Sequence, residues 1–140
     1  AEWEYAAREG GKKVRFGNGR DVIDPLEINF NAHADSKFRF SVAGEYRGKT
    51  VPVDQLGANS FGLRHMSGNV WEWCWDWYDG AYYSQGDGVH NPMGPGAGRY
   101  RVWRGGSWYA YPDYCRVSTR GRNHANIRYF NLGFRVARGY

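Results

Sequence analysis

The feature that most constrains the fold is the segment of residues 69–78, in which a tryptophan occupies every second position from 71 to 77. A period of two predicts a β-strand that carries all of these indoles on one face. We expect this face to pack into the core, although an exposed aromatic site for a carbohydrate or a cation has the same spacing. Glu72 and Asp76 fall on the opposite face, where we expect a solvated or metal-bound pair rather than an acid/base couple.

The second feature is the segment of residues 103–136, in which a regular frame alternates with Tyr, Asn, His and Asp. Gly105 and Gly106 in the frame allow positive φ or a close backbone approach, and Phe134 and Val136 alternate with an arginine as in a half-buried strand. The other residues combine rigid aromatic area with adaptable hydrogen bonds, as antibody paratopes do. We predict a ligand-binding face on a rigid scaffold, unless the aromatic residues are core. The candidate contact residues are Tyr109, Ala110, Tyr111, Asp113, Tyr114, Thr119, Gly121, Asn123, His124, Ile127, Tyr129, Phe130 and Asn131.

Length and composition describe one loop-rich domain. The 140 residues suit a single domain spanning 1–140, and the 20 glycines predict short strands joined by loops. We expect a short helix over residues 1–9 and a strand over residues 100–103. A net charge of +5 without a run of basic residues gives nucleic-acid binding little support. No apolar run is long enough to predict membrane insertion.

Six short motifs spread over the chain carry a family resemblance. They are AEWEYAAR at 1–8, FGL at 61–63, MSGNVWEW at 66–73, RGGSW at 104–108, CRV at 115–117 and GFRV at 133–136. Together they resemble the formylglycine-generating enzyme (sulfatase-modifying factor) family. The resemblance implies an α+β, C-type-lectin-like fold of the formylglycine-generating enzyme subtype, with a small twisted antiparallel sheet, flanking helices and many loops. It also implies the C-terminal part of the family domain, with the N-terminal part missing.

The resemblance further implies bound calcium. In the family's enzymes one site is built around the GN-W-E motif, which corresponds here to the backbone carbonyls of Gly68 and Val70 and the carboxylate of Glu72. These are the hard oxygen ligands that calcium prefers. The family's asparagine in that site falls on His65. A second calcium site maps onto Asn29, Phe30, Glu45 and Arg47.

Copper is not expected. The family's enzymes bind copper(I) through two cysteines, the first of which lies five residues before the second. The second position is Cys115 here, but the first is Ala110, and one thiolate does not form a linear two-thiolate site. An oxidase that converts a sulfatase cysteine to formylglycine is therefore disfavoured.

A different branch of the fold resembles the chain more closely, namely the variable proteins of diversity-generating retroelements. The variable region of these proteins begins near RGGSW and ends near GFR, which corresponds to residues 103–136 here. In such proteins adenine-directed mutagenesis changes Asn codons into codons for the residue types found in this segment. We expect a non-catalytic receptor-type protein on a virion or cell surface that binds a protein or glycan on a host or cell surface. The alternatives are a formylglycine-generating-type oxidase and a structural module without a dedicated ligand.

Overall fold

The structure, a computed structural model, describes residues 1–85 and 92–138. A short helix, α1 (Glu2–Ala7), is followed by a mostly irregular region and then by β1 (Trp71–Trp77). The remaining strands are β2 (Arg101–Arg104), β3 (Gly121–Asn123) and β4 (Leu132–Phe134). The predicted helix at residues 1–9 and the predicted strands at 69–78 and 100–103 are confirmed with shifted ends. Three 3-10 helices complete the structure, at Ala34–Ser36, Tyr82–Gln85 and Pro112–Cys115.

The four strands form one small sheet in the order β3-β2-β1-β4. β1 pairs antiparallel with β2, which places Trp73 opposite Trp103, and β2 pairs antiparallel with β3. β4 lies on the other edge of β1 and runs parallel to it, with Phe134 opposite Trp73. The α+β fold is confirmed, but the sheet is mixed rather than wholly antiparallel. The difference arises because the chain crosses from β3 at one edge of the sheet to β4 at the other.

The strands turn their polar side chains inward and their aromatic ones outward. In β1, Glu72 is 4% exposed, whereas Trp75 is 81% exposed and the other three indoles are half-buried. The prediction that the indoles form the core is therefore wrong, as is the prediction that Glu72 is solvated. The same inversion recurs at the end of β4 and just after it, because Phe134 and Val136 are 75% and 85% exposed while the arginine between them reaches the inner side.

Ion pairs and hydrogen bonds hold the inner side of the sheet. Glu72 accepts hydrogen bonds from Arg135 through both carboxylate oxygens, at 2.7 and 2.9 Å. The indole Nε1 of Trp3 donates to the same carboxylate at 2.8 Å, which ties α1 to the sheet. Arg104 is 2% exposed and pairs with Glu4 of α1 at 3.1 Å. A buried charge is tolerated only when it is paired and hydrogen-bonded, and both of these charges are.

The apolar core lies mainly between loops rather than under the sheet. Gly106 shows how closely these loops pack, because a Cβ at this position would lie 2.6 Å from the Sγ of Cys115. Its φ of +74° also favours glycine, and Gly105 has a φ of +95°, so the positive φ expected for the glycine pair is confirmed. The residues that form the two buried clusters are Phe16, Ile23, Ile28, Phe30, Ala32 and Cys115, and Ala7, Met66 and Val117.

Within residues 1–85 and 92–138, no helix has the length and apolar character needed to cross a membrane.

Candidate ligand-binding surface

Five aromatic residues of the predicted ligand-binding segment lie on the surface. Their side chains are between 49% and 69% exposed, and none of the thirteen candidate residues is buried. The alternative in which these aromatic residues form the core is therefore wrong. Such exposure is costly for aromatic rings unless a partner covers them. The five residues are Tyr109, Tyr111, Tyr114, Tyr129 and Phe130.

Trp108 lies at the centre of one part of this surface. Its ring centroid is 5.6 Å from that of Tyr109 and 5.6 Å from that of Phe130. Tyr109 and Phe130 also meet edge to face at 6.0 Å. Tyr46, from the irregular region before the sheet, stacks on Trp108 at 6.1 Å. Residues from three distant parts of the chain therefore form one aromatic cluster, and their mutual packing limits the rotamers that each ring can adopt.

The same surface continues onto the outer face of the sheet. Tyr129 contacts Trp103 of β2 at 6.3 Å, and Trp103 in turn stacks with Trp71 at 5.8 Å and Trp73 at 5.4 Å. The strict alternation in β1 had allowed an exposed aromatic site as its second interpretation, and the half-buried rings of Trp71 and Trp73 on the outer side are compatible with that one. We call this continuous surface the aromatic face. It comprises Tyr46, Trp71, Trp73, Trp103, Trp108, Tyr109, Tyr129 and Phe130.

Several other candidate residues support the surrounding loops. Thr119 Oγ1 donates to the backbone carbonyl of Asp113 at 3.1 Å, and Asn131 Nδ2 donates to Ser107 Oγ at 3.1 Å. Ala110 packs against the core, and its carbonyl accepts a hydrogen bond from the backbone of Asn31. These residues fix the loop conformations from which the exposed rings project.

Three candidates lie towards β3. The backbone N–H of His124 donates a hydrogen bond to Asn123 Oδ1 at 2.9 Å, and the ring centroids of His124 and Tyr100 are 4.7 Å apart. Ile127 is half-buried, and its backbone N–H donates to the carbonyl of His124. These residues therefore belong to a different part of the surface from the Trp108 cluster.

Gly121 has a steric role that the sequence did not reveal. It lies in β3 opposite Trp103, and a Cβ at position 121 would lie 1.5 Å from Trp103 Nε1. Any other residue would displace the indole from the aromatic face. Gly121 therefore supports this face from below rather than contacting a ligand through a side chain.

The first calcium site does not fit the geometry around Glu72. Both carboxylate oxygens already bind the guanidinium of Arg135, whose Nη2 also donates to the carbonyl of Arg64. A divalent cation at Glu72 would have to displace or repel that guanidinium. His65, at the family's asparagine position, is turned towards the carbonyl of Pro52 instead, with its Nε2 3.2 Å from that oxygen.

At the second candidate calcium site, one side chain has the geometry expected of a calcium ligand. Asn29 is buried, and its Oδ1 has no hydrogen-bond partner although its Nδ2 donates to Lys49 and Asn69. A buried oxygen without a partner is what a cation-ligating group looks like without its ion. Glu45 is exposed and only loosely paired with Arg47 at 3.7 Å, which leaves its carboxylate accessible. In the described ranges, no three His, Cys, Asp or Glu side chains gather to hold a metal ion.

The cysteines are ill suited to redox or nucleophilic chemistry. Both are free thiols. Burial raises the pKa of Cys115 to about 12 and that of Cys74 to about 11. At neutral pH both therefore remain protonated, whereas the thiolate is the form that attacks substrates and binds metals.

Comparisons with known proteins identify the family of this chain. The family model of the sulfatase-modifying factor enzyme 1-like domain matches residues 1–140. A formylglycine-generating enzyme of Streptomyces coelicolor is 39% identical over 98% of this chain and 44% of its own length. The chain therefore spans less than half the length of that relative.

Two solved structures share the fold. Treponema denticola variable protein 1 superposes with a TM-score of 0.69 at 29% identity, over 95% of this chain and 43% of that chain. PvdO from Pseudomonas aeruginosa also has a TM-score of 0.69, at 24% identity, over 95% of this chain and 48% of that chain. The second similarity shows the fold alone.

Proposed function

The chain belongs to the sulfatase-modifying factor enzyme 1-like family, and from this premise we propose that it is a non-catalytic ligand-binding member, a variable protein of a diversity-generating retroelement. The observation that carries the proposal is the aromatic face. Tyr109, Tyr129 and Phe130 are exposed and its other rings are half-buried, and the rings pack against one another on a sheet whose inner side is held by buried ion pairs. Rigid, exposed aromatic area of this kind is typical of binding hot spots.

The position of the exposed rings supports diversification. Tyr109 and Tyr111 lie just before the Pro112–Cys115 helix and Tyr114 lies within it, while Tyr129 and Phe130 lie in the loop before β4. Substitutions at such positions change the ligand surface with little effect on the core, because the side chains make few buried contacts. The similarity to Treponema denticola variable protein 1 points to the same kind of protein.

The thiol chemistry supports a non-catalytic role. Ala110 stands where the family's copper site has its first cysteine, and the remaining Cys115 is fully buried and protonated. One inaccessible thiol supplies neither a two-coordinate copper(I) site nor a nucleophile. The aromatic face would instead bind a protein or a glycan on a host or cell surface, and the protein itself would be displayed on a virion or a cell.

The proposal is tested at the level of the gene. Sequencing of the downstream DNA is expected to find a near-copy of the segment that encodes residues 103–136, differing mainly at adenines, beside a reverse-transcriptase gene. The mismatched codons should include those of Tyr109, Tyr111, Tyr114, Tyr129 and Phe130. If no such copy exists, or if its mismatches avoid these codons, the proposal of a diversified surface is wrong.

A formylglycine-generating-type oxidase remains the second candidate, because the Streptomyces coelicolor enzyme is 39% identical. The two candidates are separated by copper(I) titration of the protein and of its Ala110→Cys variant. A non-catalytic scaffold is expected to bind copper(I) weakly, and the variant should bind it more tightly if the second position of the site is otherwise preserved. Tight copper binding by the unmodified chain would favour the oxidase.

A further inference from the structure

Three arginines alternate with three tyrosine rings along the β3 edge of the sheet. Arg122 lies over the ring of Tyr78 at 4.4 Å, and Arg120 lies over the same ring at 5.0 Å. Tyr83 extends the row at one end, and Tyr100 followed by Arg99 extends it at the other. We call this row the arginine–tyrosine ladder. Its members in spatial order are Arg99, Tyr100, Arg122, Tyr78, Arg120 and Tyr83.

The outer contacts of the ladder have similar geometry. The guanidinium of Arg120 is 4.1 Å from the ring centroid of Tyr83. At the other end, Arg99 and Arg122 lie 5.4 and 5.9 Å from the ring of Tyr100. Contacts within about 6 Å allow attraction between a cation and the ring quadrupole. The rings therefore fix the positions of guanidiniums that would otherwise be mobile on the surface.

The ladder is separate from the aromatic face. Arg122 of β3 is paired with Val102 of β2, so its side chain leaves the sheet on the same side as that buried valine. Trp103 and Gly121 point to the opposite side. The two surfaces therefore lie on opposite sides of the sheet, and a ligand of one does not have to contact the other.

The ladder carries positive charge without internal neutralisation. In residues 1–85 and 92–138, every salt bridge between an arginine and a carboxylate involves other arginines. Asp76 and Arg120 line the same small cleft but lie beyond salt-bridge distance. Arg99 and Arg122 are exposed. Three neighbouring like charges repel one another, and an anionic ligand would relieve that repulsion.

From this arrangement we infer that the ladder binds an acidic polysaccharide through its carboxylate or sulfate groups. A guanidinium stacked on a ring keeps its in-plane N–H groups available for bidentate contact with an oxyanion. Three such groups in a row suit a polymer whose charges repeat along one direction.

Two other ligand classes fit the ladder less well. The ring of Tyr78 already carries two guanidiniums, so it offers little free surface on which a nucleobase could stack. Three like charges in a row also differ from the centre of a typical protein interface, which is depleted of charged residues. A hydrated polyanion needs neither feature.

The test is titration of the 140-residue protein with a fluorescently labelled heparin oligosaccharide at about 0.15 M salt, where surface charges are screened beyond ~8 Å. The variant replaces Arg99, Arg120 and Arg122 with glutamine. Because the change removes three exposed ion pairs with the polyanion, each of modest strength, we expect it to weaken binding about tenfold. A second variant with lysine at the same positions keeps the charge and is expected to lose less affinity.

The matched control replaces three exposed cations elsewhere, Lys13, Lys37 and Arg39, with glutamine and so makes the same change in net charge. We expect the control to bind heparin with nearly unchanged affinity, and thermal denaturation to show that all variants are folded. Equal losses in both triple variants would overturn the inference, because net charge alone would explain binding. Tighter binding of a DNA oligonucleotide or of polyglutamate than of heparin, or no heparin binding by the unmodified protein, would also overturn it. The result does not depend on the function proposed for the aromatic face.

Discussion

Replacement of Glu72 by glutamine is the most informative perturbation of the scaffold. The substitution keeps the shape of the side chain but removes the charge that faces Arg135 and places an amide where a carboxylate oxygen accepted a hydrogen bond. Glu72 is 4% exposed, and its carboxylate accepts three hydrogen bonds, two from Arg135 and one from Trp3. The aromatic face and the inner ion pair share β1, so this change tests what supports the proposed binding surface.

The expected cost follows from burial. Removal of one partner from a buried ion pair costs about 3–5 kcal/mol because the other charge is left uncompensated. The side chain of Arg135 is 30% exposed, so solvent screens part of that charge. We therefore expect a loss of about 2–3 kcal/mol. For a domain of this size, such a loss lowers Tm by roughly 7–10 °C.

The assay is urea denaturation at pH 7 together with thermal denaturation, with Asp54→Asn as the control because Asp54 is an exposed carboxylate. A double-mutant cycle with Arg135→Met isolates the pair, and the two changes together should cost less than the sum of their separate costs. A change of less than about 0.5 kcal/mol, the range of ordinary surface substitutions, would refute the reasoning. So would stabilisation of the unmodified protein by calcium that disappears in Glu72→Gln, because calcium rather than Arg135 would then be the partner of Glu72.

Three further outcomes are expected. Gly121→Ala should lower the free energy of unfolding by about 1–3 kcal/mol in urea denaturation, because the added Cβ collides with the indole of Trp103. In the control Gly57→Ala the added Cβ meets nothing within 4 Å, so stability should change little. Equal losses of stability in the two variants would contradict the steric role of Gly121. Because burial raises the pKa of Cys74 to about 11 and of Cys115 to about 12, both thiols should resist iodoacetamide at pH 8 in the folded protein and react after unfolding, as mass spectrometry can determine. If calcium binds at the second candidate site, it should raise Tm, and Glu45→Gln should abolish that rise; an unchanged rise would exclude Glu45 as a ligand.

Much of the candidate site was accessible from the sequence. The alternation of tyrosines with short polar residues predicted a surface, because the polar groups in such a segment would lose their contact with water in a core. The residues that the structure exposes accordingly are Tyr109, Tyr111, Tyr114, Tyr129 and Phe130. The tryptophans of β1 that extend this surface were assigned to the core instead. Trp71 and Trp73 join the surface through Trp103, which depends on the pairing of β1 with β2, and composition contains no information about that pairing.

The sequence by itself determined β1, β2 and the short helix at the start, together with the residues of β1 that share a face, since these follow from backbone periodicity. The three-residue strand β3 was too short to show such a pattern. Only the tertiary structure decided which face of β1 is inside. A period of two is the same for a buried and an exposed face, and the outcome depends on what the rest of the chain brings to each side. Here the chain brings Arg135, 63 residues from Glu72, and the indole of Trp3 to the carboxylate. Once paired, that carboxylate can be buried, and the large indoles remain outside to form a surface.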